Sequence, residues 1–317
     1  MNKHHPYISI VIPTLNSGKF LDRCLKSLTK LDYPKNKLEI LIVDGGSKDN
    51  TLDIAKKYSV SIVFENNTGR GAAYNKGLKE AKGEYIAFLD SDAFAQRTWL
   101  KKAIEVLNRD PLVAIVYFRN KAPKNSSYFQ KCIDVLQTKS WGQANGAVCR
   151  KSLLEKVGGF KDLLYHQEDE LRLRLIRAGY KVKVISESVI YHLPRKNIWS
   201  YFLQSIESGI GFAHLCAMTL YYKWILYALV RCIIALLPLI LYTQLLFAPI
   251  LFKQIFILFL IACLTSYLIY LWIHTDKDYR SIKYILPATA LVYISALGNV
   301  IGYISLLKNL IKCILKK

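Results

Sequence analysis

The sequence predicts an α/β fold, a strand-and-helix domain on a doubly wound sheet, followed by an apolar helical part. Three observations predict it. Short β-branched runs alternate with segments of helical spacing up to His192. Several of those runs end abruptly in Asp, Asn, Ser or Thr, as strands do where a sheet meets a ligand. From Trp224 onward the chain becomes largely Ile, Leu, Val, Phe, Tyr and Ala.

Tyr7–Leu15 is continuous and β-branched, the pattern of a strand buried on both faces. Gly18–Leu31 follows, with Phe20, Leu21, Cys24, Leu25 and Leu28 at helical spacing. Leu38–Val43 is a second strand running into Asp44-Gly45-Gly46-Ser47-Lys48-Asp49, and Asn50–Tyr58 is a short helix. Val60–Phe64 is a third strand and Gly71–Lys82 a helix. Tyr85–Leu89 is a fourth strand, entered from the Lys82-Gly83 turn. Trp99–Leu107 reads as helix and Val113–Phe118 as a fifth strand, whereas Arg119–Trp141 carries little pattern. Gln143–Arg150 is strand-like with small residues, and Ser152–Val157 is helical. His166-Gln167-Glu168-Asp169-Glu170-Leu171 opens a helix that runs to Ala178 and stops at Gly179. Val182–Tyr191 is a last strand, ending at His192. Such alternation predicts a parallel sheet of the nucleotide-binding type. No Gly-x-Gly-x-x-Gly follows the first strand and there is no Walker loop, which argues against dinucleotide oxidoreductases and P-loop phosphotransferases.

Three strand ends carry the polar residues: Pro13-Thr14-Leu15-Asn16, Asp44-Gly45-Gly46-Ser47 and Asp90-Ser91-Asp92. Each alone is good turn chemistry. Together they belong on one edge of one sheet. Asp90 and Asp92 are one residue apart, and two such carboxylates repel. A hard divalent cation, Mg²⁺ or Mn²⁺, relieves that repulsion and bridges diphosphate oxygens.

The segments Ile-Val-Ile-Pro-Thr-Leu-Asn, Ile-Leu-Ile-Val-Asp-Gly-Gly-Ser-Lys-Asp, Thr-Gly-Arg-Gly-Ala-Ala-Tyr-Asn-Lys-Gly and Gly-Glu-Tyr-Ile-Ala-Phe-Leu-Asp-Ser-Asp-Ala resemble the inverting glycosyltransferases of family 2, which have the GT-A fold. The resemblance implies a nucleotide-sugar donor, UDP- or GDP-linked. It puts Thr14 and Asp44 on the base, Asp90 near the ribose and Asp92 on the metal of the diphosphate. Pro13, Asn16 and Ser91 share those strand ends and are donor-binding candidates. Two departures stand out: Gly45 where a second Asp is frequent, and Tyr74 where an Arg is frequent. Arg70 and Asn75, at a helix start, are candidates for the donor phosphates or sugar. By the same resemblance the small residues around Gly146 lie against the donor sugar, with a tight bend as the alternative. Acidic residues in a first helical turn favour the helix dipole in any protein. The likeness of Glu168-Asp169 and the following Leu-Arg-Leu-Arg-Leu to the family's Glu-Asp motif implies more, with Asp169 the catalytic base and Glu168 its neighbour. His192 is expected near the diphosphate or metal, as ligand or as a charge on the leaving phosphate; a core or surface histidine is the alternative. The stretch Gln204-Ser205-Ile206-Glu207-Ser208 lacks the Gln-x-x-Arg-Trp of processive members.

Of the 317 residues 52% are hydrophobic, yet the net charge is +21, a combination that suits an anionic cytoplasmic leaflet. No nucleic-acid-binding motif is present, so nucleic acid is not expected as a partner. The expected layout is a catalytic domain over residues 1–196, an amphipathic interfacial helix or linker over 197–223, and a membrane region over 224–317. Spans are expected near 232–252, 255–273 and 284–307. Three full crossings would leave the basic tail outside, against the charge rule. A break at Gly298, Asn299 or Gly302 would make the last segment re-entrant or interfacial instead. The seven scattered cysteines read as reduced thiols, and Met-Asn-Lys-His-His-Pro leads straight into a strand, with no secretory signal expected. An integral protein of the cell membrane with a cytoplasmic catalytic domain follows, and with it an acceptor in the bilayer: a polyprenyl-linked glycan or a polyprenyl phosphate. A phosphate acceptor is already ionised, so the Glu-Asp motif favours a hydroxyl of a lipid-linked or cell-surface glycan. A polyprenyl (dolichyl)-phosphate sugar synthase is the alternative, although its Asp-Ala-Asp-Leu-Gln-His-Pro run is absent. A membrane-anchored binding protein that lost the chemistry is the reading from another class.

Overall fold

The computed structural model describes residues 5–66, 69–137, 145–161, 163, 165–219, 226–236 and 281–315. The chain divides into two compact units, Met1–Lys124 with Ser140–Leu193, and Asn125–Lys139 with Pro194–Lys317.

The first unit is an eight-stranded sheet with helices on both faces. Its strands are β1 (Ile8–Thr14), β2 (Leu38–Asp44), β3 (Ser61–Phe64), β4 (Tyr85–Phe88), β5 (Ala93–Ala95), β6 (Val113–Lys121), β7 (Val148–Arg150) and β8 (Lys181–His192). Its helices are α1 (Gly18–Leu28), α2 (Thr51–Ala55), α3 (Arg70–Glu80), α4 (Trp99–Arg109), α6 (Lys151–Lys156) and α7 (Gln167–Arg177); α5 (Tyr128–Gln137) belongs to the second unit. Strand order is β3-β2-β1-β4-β7-β6-β8-β5. The β-branched run of β1 is buried on both faces for a plain reason. Ile8, Ile10 and Ile12 face a layer holding Leu21, Leu25 and Trp99, while Val11 faces Tyr74, Leu78 and Leu171 on the other side.

The expectation of a wholly parallel sheet is corrected. The half β3-β2-β1-β4 is parallel, but β7 runs antiparallel to both β4 and β6, and β5 antiparallel to β8. Gly146 stands two residues before β7, with a φ of +85° in the left-handed region that favours glycine. A Cβ there would stand 2.3 Å from Ile190 Cγ1, so both backbone and space demand glycine. The bend is held from two sides: Gly146 N–H donates to Phe88 O (2.7 Å), and Trp99 Nε1–H donates to Gly146 O (2.9 Å). The three-residue strand β5 follows the acidic turn too closely to show any periodicity in sequence.

In the second unit α8 (Ile198–Thr219), α9 (Leu226–Leu236) and α10 (Ile282–Leu315) join α5. Among the described residues one helix is long and apolar enough to cross a membrane, over the 23 residues Lys283–Ser305 of α10. The spans expected at 255–273 and over most of 232–252 lie outside the described residues. The possible break in the last segment is not there: α10 is a continuous helix of 34 residues. Its small residues serve close approach to α8 instead. A Cβ on Gly302 would stand 2.4 Å from Ile206 O, and one on Gly209 would stand 2.4 Å from Asn299 O. Small residues that let helix backbones meet are the usual device of apolar helix pairs.

Candidate active site

At the carboxyl ends of β1 and β2 the polar residues form one laced loop. Asp44 is fully buried, and its carboxylate accepts four hydrogen bonds. Gly46 N–H (3.0 Å) and Ser47 N–H (2.8 Å) donate to Oδ1, while Thr14 Oγ1 (3.0 Å) and Ser47 Oγ (2.6 Å) donate to Oδ2. Ser47 Oγ also accepts from Asn16 N–H (2.9 Å), and Asn16 Oδ1 accepts from Lys48 N–H (2.9 Å), with Asn16 at φ 50°. Thr14 and Asp44 are thus joined, with Asp44 the buried organiser of this loop. Pro13 sits in register with Val43, one residue before Thr14.

Asp90 and Asp92 flank the turn between β4 and β5. The fold supplies their partner through sheet register: β5 pairs with the end of β8, setting Ala93 opposite His192. His192 Nε2 then lies 3.2 Å from Asp92 Oδ1, and one ligand atom from each of Asp90, Asp92 and His192 falls within 4.8 Å of the others. Two carboxylate oxygens and an imidazole nitrogen suit Mn²⁺ and Mg²⁺. Burial opposes the charge on Asp92, but the His192 hydrogen bond and charge outweigh it, and the carboxyl stays below its ordinary value. Burial likewise opposes charge on His192, yet Asp92 and then Asp90 hold the imidazole above its ordinary value. Asn145 Oδ1 accepts from Asp90 N–H (3.0 Å), and Ser91 Oγ donates to Ser17 Oγ (2.8 Å).

Helix α3 adds a phenol and a guanidinium on one face, at i and i+4. Tyr74 is fully buried against Phe88 (4.8 Å) and Phe160 (4.9 Å), and its hydroxyl donates to Asp90 Oδ1 (3.2 Å). Arg70, one turn earlier, brings Nη1 to 3.9 Å from Asp90 Oδ2. Asp90, and after it Tyr74 and Glu168, raise the Arg70 guanidinium further above its ordinary value. Arg70 in turn acts electrostatically on Asp92, Glu168 and His192, so one half-exposed cation is shared by the β4 carboxylates and the α7 motif. Asn75 faces elsewhere. Its Nδ2 donates to Phe160 O and its Oδ1 accepts from Phe160 N–H, both at 2.8 Å, so its amide clamps the segment before α7.

Helix α7 begins at His166, a non-glycine residue with φ 66°. The left-handed turn costs on the order of 1–3 kcal/mol. It brings His166 Nδ1 to 2.8 Å from Asp169 Oδ2, while Arg172 Nη2 donates to Asp169 Oδ1 at 2.6 Å. Both carboxylate oxygens are therefore oriented. Burial works against ionisation of Asp169, but His166 and Arg172 overcome it and hold the group below its ordinary value. Glu168 moves the opposite way: burial raises it, and Arg70 offsets this only in part. Glu170 is 7% exposed and takes a forked ion pair from Arg174, which also donates to Gly159 O (2.6 Å) and Val157 O. Sequence inspection singled out neither His166 nor Arg172; the i, i+3 spacing of Asp169 and Arg172 was the signal available.

Residues 9–161 match the family described as Glycosyl transferase family 2. The chain is 28% identical over 233 residues to the dolichyl N-acetyl-alpha-D-glucosaminyl phosphate 3-beta-D-2,3-diacetamido-2,3-dideoxy-beta-D-glucuronosyltransferase of Methanococcus voltae, covering 64% of this chain and 72% of that protein. It is 33% identical over 109 residues to Glycosyltransferase AglE of Haloferax volcanii, covering 32% of this chain and 36% of that one. The chain thus spans about a third of AglE. In three dimensions it is similar to the mannosyltransferase PcManGT of Pyrobaculum calidifontis, solved with GDP-Man and Mn²⁺. The TM-score is 0.67 at 20% identity, over 94% of this chain and 88% of that one. Residues 9–161 therefore match a glycosyltransferase family 2 domain, the domain of sugar-transferring enzymes, and the fold is the GT-A fold.

Proposed function

We propose that this glycosyltransferase moves a sugar from a nucleotide-sugar donor, with inversion, to a hydroxyl of a lipid-linked glycan. The observation that carries the proposal is geometric: Asp90, Asp92 and His192 place ligand atoms within 4.8 Å of one another with Arg70 3.9 Å from Asp90, and Asp169 is oriented by His166 and Arg172. Donor diphosphate belongs on the first group and the acceptor hydroxyl on the second. The loop laced by Asp44, Thr14 and Asn16 supports the base of the nucleotide, and Ser91 and Gly146 flank the sugar side. Asp90, Asp92 and His192 would hold Mn²⁺ or Mg²⁺, which when bound neutralises charge on the leaving diphosphate. Arg70 adds a second positive charge there. Asp169, fixed by His166 and Arg172, takes the proton of the acceptor hydroxyl. The hydroxyl oxygen forms its bond to the anomeric carbon as the bond to the diphosphate oxygen breaks on the opposite face, so the configuration inverts. Asn75 acts through the backbone it clamps.

The Methanococcus relative supports the acceptor class, since its name describes transfer to a sugar carried on dolichyl phosphate. The apolar stretch of α10 supports a membrane anchor, and the net charge of +21 supports a catalytic domain on the cytoplasmic side. The test uses membranes holding wild type, Asp169→Asn or Asp92→Ala, with labelled nucleotide sugars, Mn²⁺ and a lipid extract, following label into the organic phase. Wild type transfers, and both variants lose roughly 10²-fold or more in rate. If Asp169→Asn still makes a lipid-linked monosaccharide at the wild-type rate, no base is needed. A polyprenyl-phosphate sugar synthase is then the better description.

A further inference from the structure

In the second unit, apolar helices converge on one arginine. Arg231 lies on α9, whose Leu226, Leu229, Val230 and Ile233 are each about half exposed and form an apolar face. Among the described residues its guanidinium bonds only neutral hydroxyls. Nε (3.0 Å) and Nη2 (2.7 Å) donate to Tyr227 Oη one turn back, and Nη1 donates to Ser295 Oγ of α10 (3.3 Å). Ser295 shares a hydrogen bond with Tyr201 of α8. The Tyr227 ring stands 5.2 Å from the guanidinium and packs edge-on against Phe212 of α8 at 5.3 Å. Three helices thus hold one cation, and no carboxylate among the described residues lies within ion-pair distance of it. A guanidinium has five N–H donors, and three are used here. A charge among apolar helices is costly unless it is paired, and Arg231 keeps N–H donors to offer an anion.

We propose that Arg231, with Tyr201, Tyr227 and Ser295, binds the phosphate or pyrophosphate that joins the acceptor glycan to its polyprenyl tail. This rests on the lipid-acceptor reading above. The planar fork of arginine matches phosphate oxygens, and an apolar helix such as α9 is compatible with a polyprenyl chain. Attraction to bulk anionic lipid needs only a basic residue near the surface. Three hydroxyls fixed by three helices around a single cation are a more particular arrangement.

The test uses the full chain in phosphatidylcholine vesicles and two acceptors bearing the same sugar, one on a polyprenyl phosphate and one on a phosphate-free alkyl chain. Arg231→Gln raises KM for the phosphate-linked acceptor roughly tenfold or more and leaves the alkyl glycoside unchanged. Tyr201→Phe and Ser295→Ala, which keep the packing, shift the same KM in the same direction by less. The difference between acceptors persists when phosphatidylglycerol is added. Equal KM values for Arg231→Gln and wild type overturn the proposal alone, as does an equal loss on both acceptors. Disappearance of the difference in phosphatidylglycerol assigns the site to bulk headgroups and also overturns it. A wild type that uses a soluble glycan but neither lipid acceptor overturns the acceptor reading together with this one.

Discussion

Replacing Arg174 by methionine removes the guanidinium that fastens α7 to the segment before it, and leaves a carboxylate behind. Glu170 is 7% exposed and receives Nε at 2.7 and 2.9 Å and Nη2 at 2.6 Å. Arg174 also satisfies the carbonyls of Val157 and Gly159. Methionine fills similar volume, so the loss is electrostatic rather than a cavity. Removing one partner of a buried pair costs about 3–5 kcal/mol. If that loss falls on the opening of α7, amide exchange at Leu171–Leu175 becomes roughly 100- to 4,000-fold faster. Hydrogen exchange with mass-spectrometric detection reads this on the full chain in detergent. Adding Glu170→Gln to Arg174→Met removes the stranded charge and recovers most of the protection. Asp169 rides on the same helix, and a displacement near 1 Å at a reacting group costs about 10² in rate. Transfer therefore falls in Arg174→Met and partly returns in the double variant. An exchange change below about tenfold, or a double variant no better than the single, would refute the view that this pair anchors the base-bearing helix.

Asp169 is held below its ordinary value, so its base form persists until the pH falls through that depressed value. The acid limb of kcat/KM therefore lies lower than an unperturbed aspartate would place it, and Arg172→Gln moves it to higher pH; a limb that stays put sinks the assignment. Chelation with EDTA abolishes transfer, Mn²⁺ or Mg²⁺ restores it, and Asp92→Asn raises the metal concentration needed for half activity by at least about tenfold. Full activity in EDTA would remove the metal from the mechanism. Gly302→Val forces a side chain into the backbone of α8 and destabilises the full chain by about 1–3 kcal/mol, seen as a lower unfolding midpoint in detergent. An unchanged midpoint would mean that the two helices do not cross there.

Features that depend on local pattern are legible in the chain. The runs of β1, β2 and β4 and the helical spacing of α1, α3 and α4 could be seen from periodicity, because burial repeats every two or 3.6 residues. The same local logic put Asp90 and Asp92 at a strand end and Asp169 in a first helical turn. Tertiary structure alone decided what distant segments do to one another. The pairing of Ala93 with His192 brings an imidazole to Asp92, and it depends on β5, too short to register as a pattern. The antiparallel pairing of β7 joins distant segments, and the turn before it needs glycine at Gly146 partly because of contact with Ile190. Asp44 and Asn75 looked equally free to meet a ligand. One is buried in its own loop and the other is spent on Phe160, because a side chain's hydrogen-bond partners are set by packing and not by its neighbours in the chain. The glycines of α10 could have broken the helix, and close contact with α8 turned them into its packing surface.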